Sequence, residues 1–228
     1  MLLSNLKQYI IMFMISFNNV CKIYSGNKVL FNTNLLIDKG EFIFLTGSPG
    51  SGKTTFLKLL SGLEKPNKGS ILVNNQNIVN FHHDEVSDYR KKLGIILQNN
   101  YLLEGETALE NVLLPLKING NGDTQNKAKA VLDLVGLNNH ANKIVNYLSE
   151  AEKQRVSIAR ALINGPEIII ADDPTKNLDQ ELSRKIMEIL IKLSKYGTTV
   201  FVATHELNLV KELNQRVFNI KNEKIVPA

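Results

Sequence analysis

The chain has 228 residues, of which 43% are hydrophobic and 21% are charged, and its formal net charge is +5 at pH 7. This composition is ordinary for a globular protein and excludes a disordered chain, while the single cysteine excludes an internal disulfide and fits a reducing compartment. The modest positive charge is compatible with nucleotide, nucleic acid or the cytoplasmic face of a membrane, so it selects no partner by itself.

The first 13 residues differ in character from the rest of the chain. The apolar stretch that begins among them, residues 9–15, is shorter than the roughly 18–20 residues of a membrane span, and it lacks the basic region and cleavage site of a signal peptide. An alternating strand pattern begins at Met14. We interpret residues 1–13 as an extension that arises from start-site choice, with a short amphipathic membrane contact as the alternative, and we expect a cytoplasmic protein.

Residues 14–228 are predicted to form a single α/β domain. Apolar runs and alternation predict strands at 15–23, 29–37, 41–46, 70–73, 93–97, 167–171, 198–203, 216–220 and 224–226. The middle of the chain has little strand signal and several helical patterns, interrupted by a Gly/Asn-rich loop at 119–123. This predicts a helical subdomain, about 99–163, inserted between core segments 14–98 and 164–228. A further helix is predicted over 180–195, with an apolar face formed by Leu182, Ile186, Ile189, Leu190 and Leu193.

A glycine-rich loop follows the strand at 41–46 and leads into a helix. It consists of Gly47, Ser48, Pro49, Gly50, Ser51, Gly52, Lys53, Thr54 and Thr55, and it fits the pattern G-x-x-x-x-G-K-[ST]. Glycines let the backbone curl so that its N–H groups point at phosphate oxygens, and the helix N-terminus adds partial positive charge. Lys53 is predicted to bind the β- and γ-phosphates, and the Thr54 hydroxyl to ligate Mg²⁺. The chain is therefore predicted to bind a nucleoside triphosphate.

Two acidic residues and a histidine follow buried strands later in the chain. Asp172 ends a run of three isoleucines and an alanine, and the carboxyl ends of parallel strands form the ligand edge of such a sheet. Asp172 is therefore predicted to hold Mg²⁺ opposite Thr54. Asp173 is predicted to orient the attacking water as a general base. His205 follows the next strand and is predicted to contact the γ-phosphate.

A set of motifs resembles the ABC-type ATPase family in order and approximate spacing, over residues 14 to about 226. The motifs are Gly47–Thr55, Gln98, Leu148-Ser149, Gln154-Arg155, Ile168–Asp173, Asn177-Leu178-Asp179 and His205. The resemblance implies a phosphate-loop NTPase core with a mixed sheet, an N-terminal antiparallel β region and the inserted helical subdomain. It also implies a head-to-tail homodimer that holds two ATP molecules, each between the glycine loop of one subunit and the signature motif of the other.

The resemblance also implies roles for residues outside the glycine loop. Tyr24 is expected to stack on adenine. Gln98 is expected to lie near Mg²⁺ and the transporter contact, and to take part in catalysis with Asp173 and His205. The implied signature and dimer contacts are Ser149, Glu150, Ala151, Glu152 and Asp179.

A finer resemblance points to the cell-division subgroup of this family, whose ATPase works with an integral membrane permease to control septal peptidoglycan hydrolases. It rests on residues 40–47, 90–95, 102–103 and 203–206. The lipoprotein-release and macrolide-export ATPases share much of this pattern and are the alternatives. The resemblance implies a peripheral position on the inner face of the cell membrane, held by the membrane partner.

The chain departs from the family pattern at three places. The signature, normally Leu-Ser-Gly-Gly, has Glu150 and Ala151 in place of the two glycines, so added bulk and a negative charge oppose closure on the partner's γ-phosphate. Asp173 replaces the usual Glu and withdraws the carboxylate by roughly an ångström, a misplacement that can cost on the order of 10²-fold in rate. Lys176 replaces the common Gly, and its charge could offset part of that of Glu150. ATP hydrolysis is therefore predicted to be slow.

Two other functions stay open at this point. One is a nucleotide-dependent docking module with little turnover, which the altered signature would suit. The other is a nucleic-acid-linked ATPase, but such proteins usually show paired domains or coiled-coil insertions, and the basic residues here are not interleaved with aromatic ones. No nucleic acid partner is therefore expected.

Overall fold

The computed structural model describes residues 14–120 and 124–228. The interpretation of residues 1–13, and positions 121–123 of the predicted Gly/Asn-rich loop, lie outside the described residues. The described residues form ten strands: β1 (Ile15–Tyr24), β2 (Asn27–Ile37), β3 (Phe42–Thr46), β4 (Lys68–Val73), β5 (Gln76–Asn77), β6 (Leu93–Ile96), β7 (Ile168–Asp172), β8 (Thr199–Ala203), β9 (Arg216–Lys221) and β10 (Lys224–Pro227). They also form seven α-helices: α1 (Lys53–Leu60), α2 (His83–Lys91), α3 (Ala108–Ile118), α4 (Gln125–Leu134), α5 (Glu150–Leu162), α6 (Gln180–Lys195) and α7 (Leu207–Leu213). Short 3-10 helices cover Ile78–Asn80, Asn138–His140 and Val145–Tyr147.

The strands form two sheets. β2, β1, β4 and β5 lie in that order in an antiparallel sheet, and β10, β9, β3, β8, β7 and β6 form a mixed sheet. In the mixed sheet the pairs between β9 and β6 are parallel, and the β9–β10 hairpin is antiparallel. Both the mixed sheet and the N-terminal antiparallel region are as predicted. Because β3, β7 and β8 run parallel, the segments that follow them meet at one edge of the sheet.

Two apolar cores lie on opposite faces of the mixed sheet. Side chains alternate along β7, so Ile168 and Ile170 pack towards α1 and the antiparallel sheet, while Ile169 and Ala171 pack towards the larger group of helices. Continuing this alternation, Asp172 points to the side of α1. The alternation of β7 therefore directs this carboxylate towards the helix that follows the glycine loop.

The middle of the chain is helical, as predicted, with α3, α4 and α5 packed on one another. The sequence did not predict α2, because Tyr89 is its one buried residue. Its first turn is stabilised instead by polar capping, in which the Glu85 carboxylate accepts a hydrogen bond from the His82 backbone N–H. None of the helices within residues 14–120 and 124–228 is long and apolar enough to cross a membrane.

Helix α6 has the predicted bounds, but its buried face differs from the predicted one. The face centres on Ser183, Ile186, Met187, Leu190 and Ser194. Leu182, Ile189 and Leu193 are half-buried beside it. The two small serines fill positions of close approach, which a search for large apolar residues overlooks.

Candidate nucleotide-binding site

The glycine-rich loop joins the end of β3 to the start of α1. Gly52 precedes α1 with a φ of 108°, and a Cβ at this position would lie 2.8 Å from Val29 Cγ1, so the conformation requires glycine. A Cβ on Gly47 would lie 2.5 Å from Ser51 Oγ. The Ser51 hydroxyl is buried and has no hydrogen-bond partner among the described residues. A buried orphan hydroxyl and a helix N-terminus together fit a phosphate group held in this loop.

Lys53 is the first residue of α1, and its ammonium group turns back across the loop. Its Nζ donates to the Gly47 carbonyl oxygen at 2.8 Å and to the Ser48 carbonyl oxygen at 3.2 Å. An ammonium group has three donors, so a third remains for a phosphate oxygen. A cavity of about 740 Å³ opens beside the loop, and His205 lies on its wall. The lysine charge is therefore held where a phosphate would lie.

Thr54 and Asp172, the two predicted Mg²⁺ ligands, are in direct contact. The Thr54 hydroxyl donates to Asp172 Oδ2 at 2.7 Å. Asp172 is 6% exposed. Burial raises the pKa of its carboxyl group and the neighbouring charge of Asp173 raises it further, while the hydrogen bond from Thr54 opposes the rise. A buried carboxylate beside a second carboxylate is a position where a bound cation is stabilising.

The chain supplies few metal ligands of its own. Within residues 14–120 and 124–228, no group of three or more His, Cys, Asp or Glu side chains could hold a metal ion. Mg²⁺ is usually held by one or two protein oxygens together with substrate phosphates and waters. The hydroxyl of Thr54 and the carboxylate of Asp172 fit that pattern, so these two residues could hold Mg²⁺ together with a nucleotide.

Asp172→Asn is expected to stabilise the nucleotide-free protein and to abolish the dependence of ATP affinity on Mg²⁺. The folded-state pKa of Asp172 is raised, so its ionised carboxylate lowers the free energy of unfolding at pH values above that pKa. This penalty disappears as the pH falls from the folded-state pKa towards the pKa of the unfolded chain. Asn removes the charge but keeps an oxygen for the Thr54 hydroxyl. We expect the free energy of unfolding at neutral pH to rise by roughly 0.5–2 kcal/mol, measured by denaturant titration, with the Mg²⁺ dependence measured by calorimetry.

Asp88→Asn is the matched control for this substitution. A hydrogen bond from Lys91 and the charge of that lysine lower the pKa of Asp88, so the ionised form of this exposed residue favours folding. Its removal should leave stability unchanged or reduced. A loss of stability in Asp172→Asn similar to that of the control would contradict the argument.

Asp173 and His205, the predicted general base and γ-phosphate contact, are neighbours. Asp173 Oδ1 lies 2.9 Å from His205 Nδ1, and the Asp173 backbone N–H donates to the Ala203 carbonyl oxygen at 2.9 Å. Asp173 has a left-handed backbone with a φ of 47°, which Asp and Asn adopt more readily than most residues. The contact with His205 engages one carboxylate oxygen, and the second can accept a hydrogen bond from water.

The residues of the predicted signature form the start of α5. Ser149 is the N-cap, and its hydroxyl accepts from the Glu152 backbone N–H at 3.3 Å, while Glu152 Oε2 accepts from the Ser149 backbone N–H at 2.7 Å. Glu150 is the first residue of the helix and is exposed, with its Oε1 2.8 Å from Lys153 Nζ. Ala151 follows it. The negative charge that departs from the family pattern is therefore located at the helix N-terminus.

Gln98 lines a different cleft from the one beside the glycine loop. This cleft has a volume of about 410 Å³, and its walls include Gln98, Glu150, Lys153, Lys176 and Asn177. The predicted metal contact of Gln98 stays a prediction. Lys176 lies on the same cleft as Glu150, which is the arrangement required for the expected charge offset. Asp179 caps α6 by accepting from the Leu182 backbone N–H at 2.8 Å, and its predicted dimer contact also stays a prediction.

Further contacts that the sequence did not indicate tie the parts of the site together. Gln154 Nε2, on α5, donates to the Pro174 carbonyl oxygen at 3.0 Å, next to Asp173. Arg160, on the same helix, donates to the carbonyl oxygens of Asn100 and Tyr101, just after Gln98. The signature helix is thus bonded to both segments that follow β6 and β7.

Two pairs of side chains also support the site: His140 Nε2 lies 3.1 Å from Glu152 Oε1 in the signature. Tyr24 ends β1, and its hydroxyl bonds to Glu64, a residue that was not singled out. The sequence carried no signal for these pairs, because the partners are 12 and 40 residues apart.

Comparison with known proteins gives consistent results. Residues 30–176 match the ABC transporter family. The cell division ATP-binding protein FtsE of Bacillus subtilis (strain 168) is 39% identical over 216 residues, which cover 93% of this chain and 95% of that protein. FtsE of Mycobacterium tuberculosis is 40% identical, over 93% of this chain and 94% of that protein. The dimeric post-hydrolysis state of the ATP-binding cassette MJ0796, bound to ADP and Pi, is a similar solved structure, with a TM-score of 0.87, 37% identity and coverage of 93% and 96% of the two chains.

Proposed function

The chain belongs to the ABC transporter family of ATP-hydrolysing subunits, and from this premise we propose that it forms an ATP-sandwich homodimer that drives a membrane partner in cell division. The observation that carries the proposal is the convergence of the glycine loop, the Thr54–Asp172 pair and the Asp173–His205 pair at one edge of the parallel sheet. The FtsE relatives, named for cell division, match over nearly the whole chain. The similar dimeric cassette holds ADP and Pi, which supports both the reaction and the dimer.

Each residue of the site has a distinct proposed role. Lys53 and His205 bind the γ-phosphate, and the backbone of the glycine loop holds the other phosphates. Thr54 and Asp172 hold Mg²⁺, which neutralises charge on the phosphate oxygens when it is bound. Asp173 orients the attacking water and accepts its proton. Gln98 couples the site to the membrane partner, and Asp179 contacts the second subunit.

The membrane partner is proposed to be an FtsX-like permease, which would hold the chain at the inner face of the cell membrane. A groove of about 870 Å³ supports this assignment, because the exposed apolar side chains of Leu63 and Ile118 lie on its walls. Arg160 also lines the groove and bonds to the segment after Gln98. A cytoplasmic segment of the partner in this groove would therefore contact a residue of the signature helix that is bonded to the segment after Gln98.

The altered signature favours a second candidate function, a nucleotide-dependent docking module with little turnover. Steady-state ATPase activity, measured alone and with the FtsX-like partner in detergent, separates the two functions. An ATPase should turn over slowly alone and faster with its partner. A docking module should bind ATP and the partner without turnover in either case.

Removing the charge of Glu150 is expected to strengthen the ATP-dependent dimer and raise turnover about five- to tenfold. A unit charge acting over about 4 Å in water contributes about 1 kcal/mol, which corresponds to this range. Glu150→Gln removes the charge and keeps the bulk, while Glu150→Gly removes both. Analytical ultracentrifugation with a non-hydrolysable ATP analogue and the ATPase assay measure the two effects.

Lys176→Gly is the control, and its expected effect is opposite to that of the Glu150 variants. It removes a cation from the same cleft and should therefore weaken the ATP-dependent dimer. A gain in Glu150→Gly without a gain in Glu150→Gln would assign the effect to bulk and not to charge. If neither substitution changes the stability of the ATP-dependent dimer, the hypothesis that Glu150 opposes dimer closure is wrong.

A further inference from the structure

The ring of Tyr24 is held by a cluster of charged side chains that the proposed function does not yet use. The Tyr24 hydroxyl donates a hydrogen bond to Glu64 Oε2. The same oxygen lies 3.0 Å from Lys22 Nζ, and Glu64 Oε1 lies 3.4 Å from Lys58 Nζ. The ammonium of Lys22 also lies over the Tyr24 ring, 4.8 Å from its centroid. One face of the ring is thus covered by a cation and its hydroxyl is fixed by an anion.

Glu64 is itself held by the backbone around it. Its N–H donates to the Lys58 carbonyl oxygen at 3.2 Å, so the residue is tied to the C-terminal end of α1. The loop it belongs to is also bonded to β1: the Asn67 side chain accepts from the Ile23 backbone N–H at 2.8 Å, and the Asn67 N–H donates to the Cys21 carbonyl oxygen at 2.9 Å. Glu64 is therefore fixed with respect to both the helix and the strand that ends in the tyrosine.

The cluster also sets the distance between the ring and the glycine loop. Helix α1 starts at Lys53 in that loop, and the Tyr24 hydroxyl lies against the side chain of Thr55, in its first turn. The helix is a rigid element of eight residues, about 12 Å long. A ring anchored to both ends of α1 is held at a constant position relative to the phosphate site.

The charges of the cluster are partly shielded from water. The side chains of Lys22 and Glu64 are 13% and 23% exposed, so the ion pair is less screened than a surface pair. Partial burial works to raise the pKa of Glu64, but hydrogen bonds from Tyr24 and Lys22 outweigh it and leave the pKa below its usual value. The carboxylate is therefore ionised at neutral pH, while Tyr24 as a whole residue is 37% exposed.

We propose that Glu64 is a positioning residue for the nucleotide base: it fixes the Tyr24 ring, with Lys22 on one face, so that the open face receives the purine. This inference rests on the proposed function, since it concerns the base of the same nucleotide. An oriented ring binds a planar base without first losing its rotamer freedom, which is the cost that preorganisation removes. The hydrogen bonds that Lys53 and Thr54 make do not involve this cluster.

The test compares a ligand that has a base with one that lacks it. Affinities for Mg²⁺–ATP and for Mg²⁺–tripolyphosphate are measured by titration calorimetry on the wild type, Tyr24→Phe, Glu64→Ala and the double variant. Tyr24→Phe keeps the stacking ring and removes only the hydroxyl. Each single variant is expected to weaken ATP binding roughly three- to tenfold. The double variant should be no weaker than the worse single variant, because both changes remove the same contact.

Tripolyphosphate affinity should be unchanged in all four proteins, and it also reports whether each variant has folded. The inference is overturned if Tyr24→Phe binds ATP as the wild type does, if the two effects add, or if tripolyphosphate binding falls in a correctly folded variant. A wild type that binds tripolyphosphate as tightly as ATP would also overturn it, while leaving the phosphate site intact. If the wild type binds neither ATP nor tripolyphosphate, the proposed function itself is contradicted, and the inference that rests on it fails as well.

Discussion

Lys53→Ala should weaken ATP binding by about 10²–10³-fold. A hydrogen bond to a charged group is worth about 1.5–3 kcal/mol, and the ammonium of Lys53 has one donor left for a phosphate oxygen. Its charge also attracts the neighbouring phosphate by about 1 kcal/mol over about 4 Å in water. The loss of both interactions corresponds to roughly 2.5–4 kcal/mol, or about 10²–10³ in the dissociation constant. Titration calorimetry with Mg²⁺–ATP measures the change, and thermal denaturation without nucleotide measures any change in folding.

Two further variants show whether the charge or the packing of Lys53 is responsible. Lys53→Met keeps the apolar stem and removes the ammonium, so it should lose as much affinity as the alanine variant. Lys192→Ala, on the exposed side of α6, removes an equal charge far from the loop and should bind ATP within about twofold of the wild type. A loss of less than tenfold in both Lys53 variants would show that the backbone of the loop supplies most of the affinity.

The glycine loop could be predicted from the sequence because its structure is local. The strand before it, the glycines and the helix after it are contiguous, so the pattern contains all the elements that build the phosphate site. Asp172 could be predicted for a related reason. It ends a strand buried on both faces, and the alternation of side chains along β7 then directs it to the side of α1. Position in a strand therefore specified its contact with Thr54.

The supports of the site could not be predicted, because they join residues that are distant in sequence. The Tyr24–Glu64 contact spans 40 residues, and the contact of Arg160 with the Asn100 carbonyl oxygen spans 60. Nothing in the composition of either segment marks these residues, since a lone Glu or Arg on a helix or loop is more often a solvated surface charge. Only the packing of α1 and α5 against the sheet brings the partners together.

The cleft around Glu150 could be predicted from the sequence only in part. The sequence showed that Glu150 and Lys176 both depart from the family pattern, but it did not show whether they lie close enough to interact. The structure places both on one cleft with Lys153, whose ammonium is 2.8 Å from the glutamate. Glu104 also lines the cleft, so two lysines and two glutamates give this surface a net charge of zero, although the signature itself has gained a carboxylate.

Asp173→Asn should lower steady-state ATP turnover by about 10²–10⁴-fold, the usual contribution of a positioned general base, and leave ATP affinity within about threefold. Asn has the same shape and tolerates the left-handed backbone at this position, so the segment after β7 should keep its conformation. Its amide cannot accept a proton from water. Steady-state and single-turnover ATPase assays measure the chemistry, and calorimetry measures binding.

An equal loss of turnover and of ATP affinity would place Asp173 in nucleotide binding and not in chemistry, and unchanged turnover would favour the docking module. Asp173→Glu tests the effect of side-chain length on turnover, because it keeps the carboxylate charge. Its extra methylene moves the carboxylate towards the water, but Glu is less suited than Asp to a φ of 47° and would have to change the 2.9 Å contact with His205. We therefore expect ATP turnover to rise by about three- to tenfold. This is less than the roughly 10²-fold that the longer side chain alone could restore, because the left-handed backbone at this position limits where a Glu carboxylate can lie.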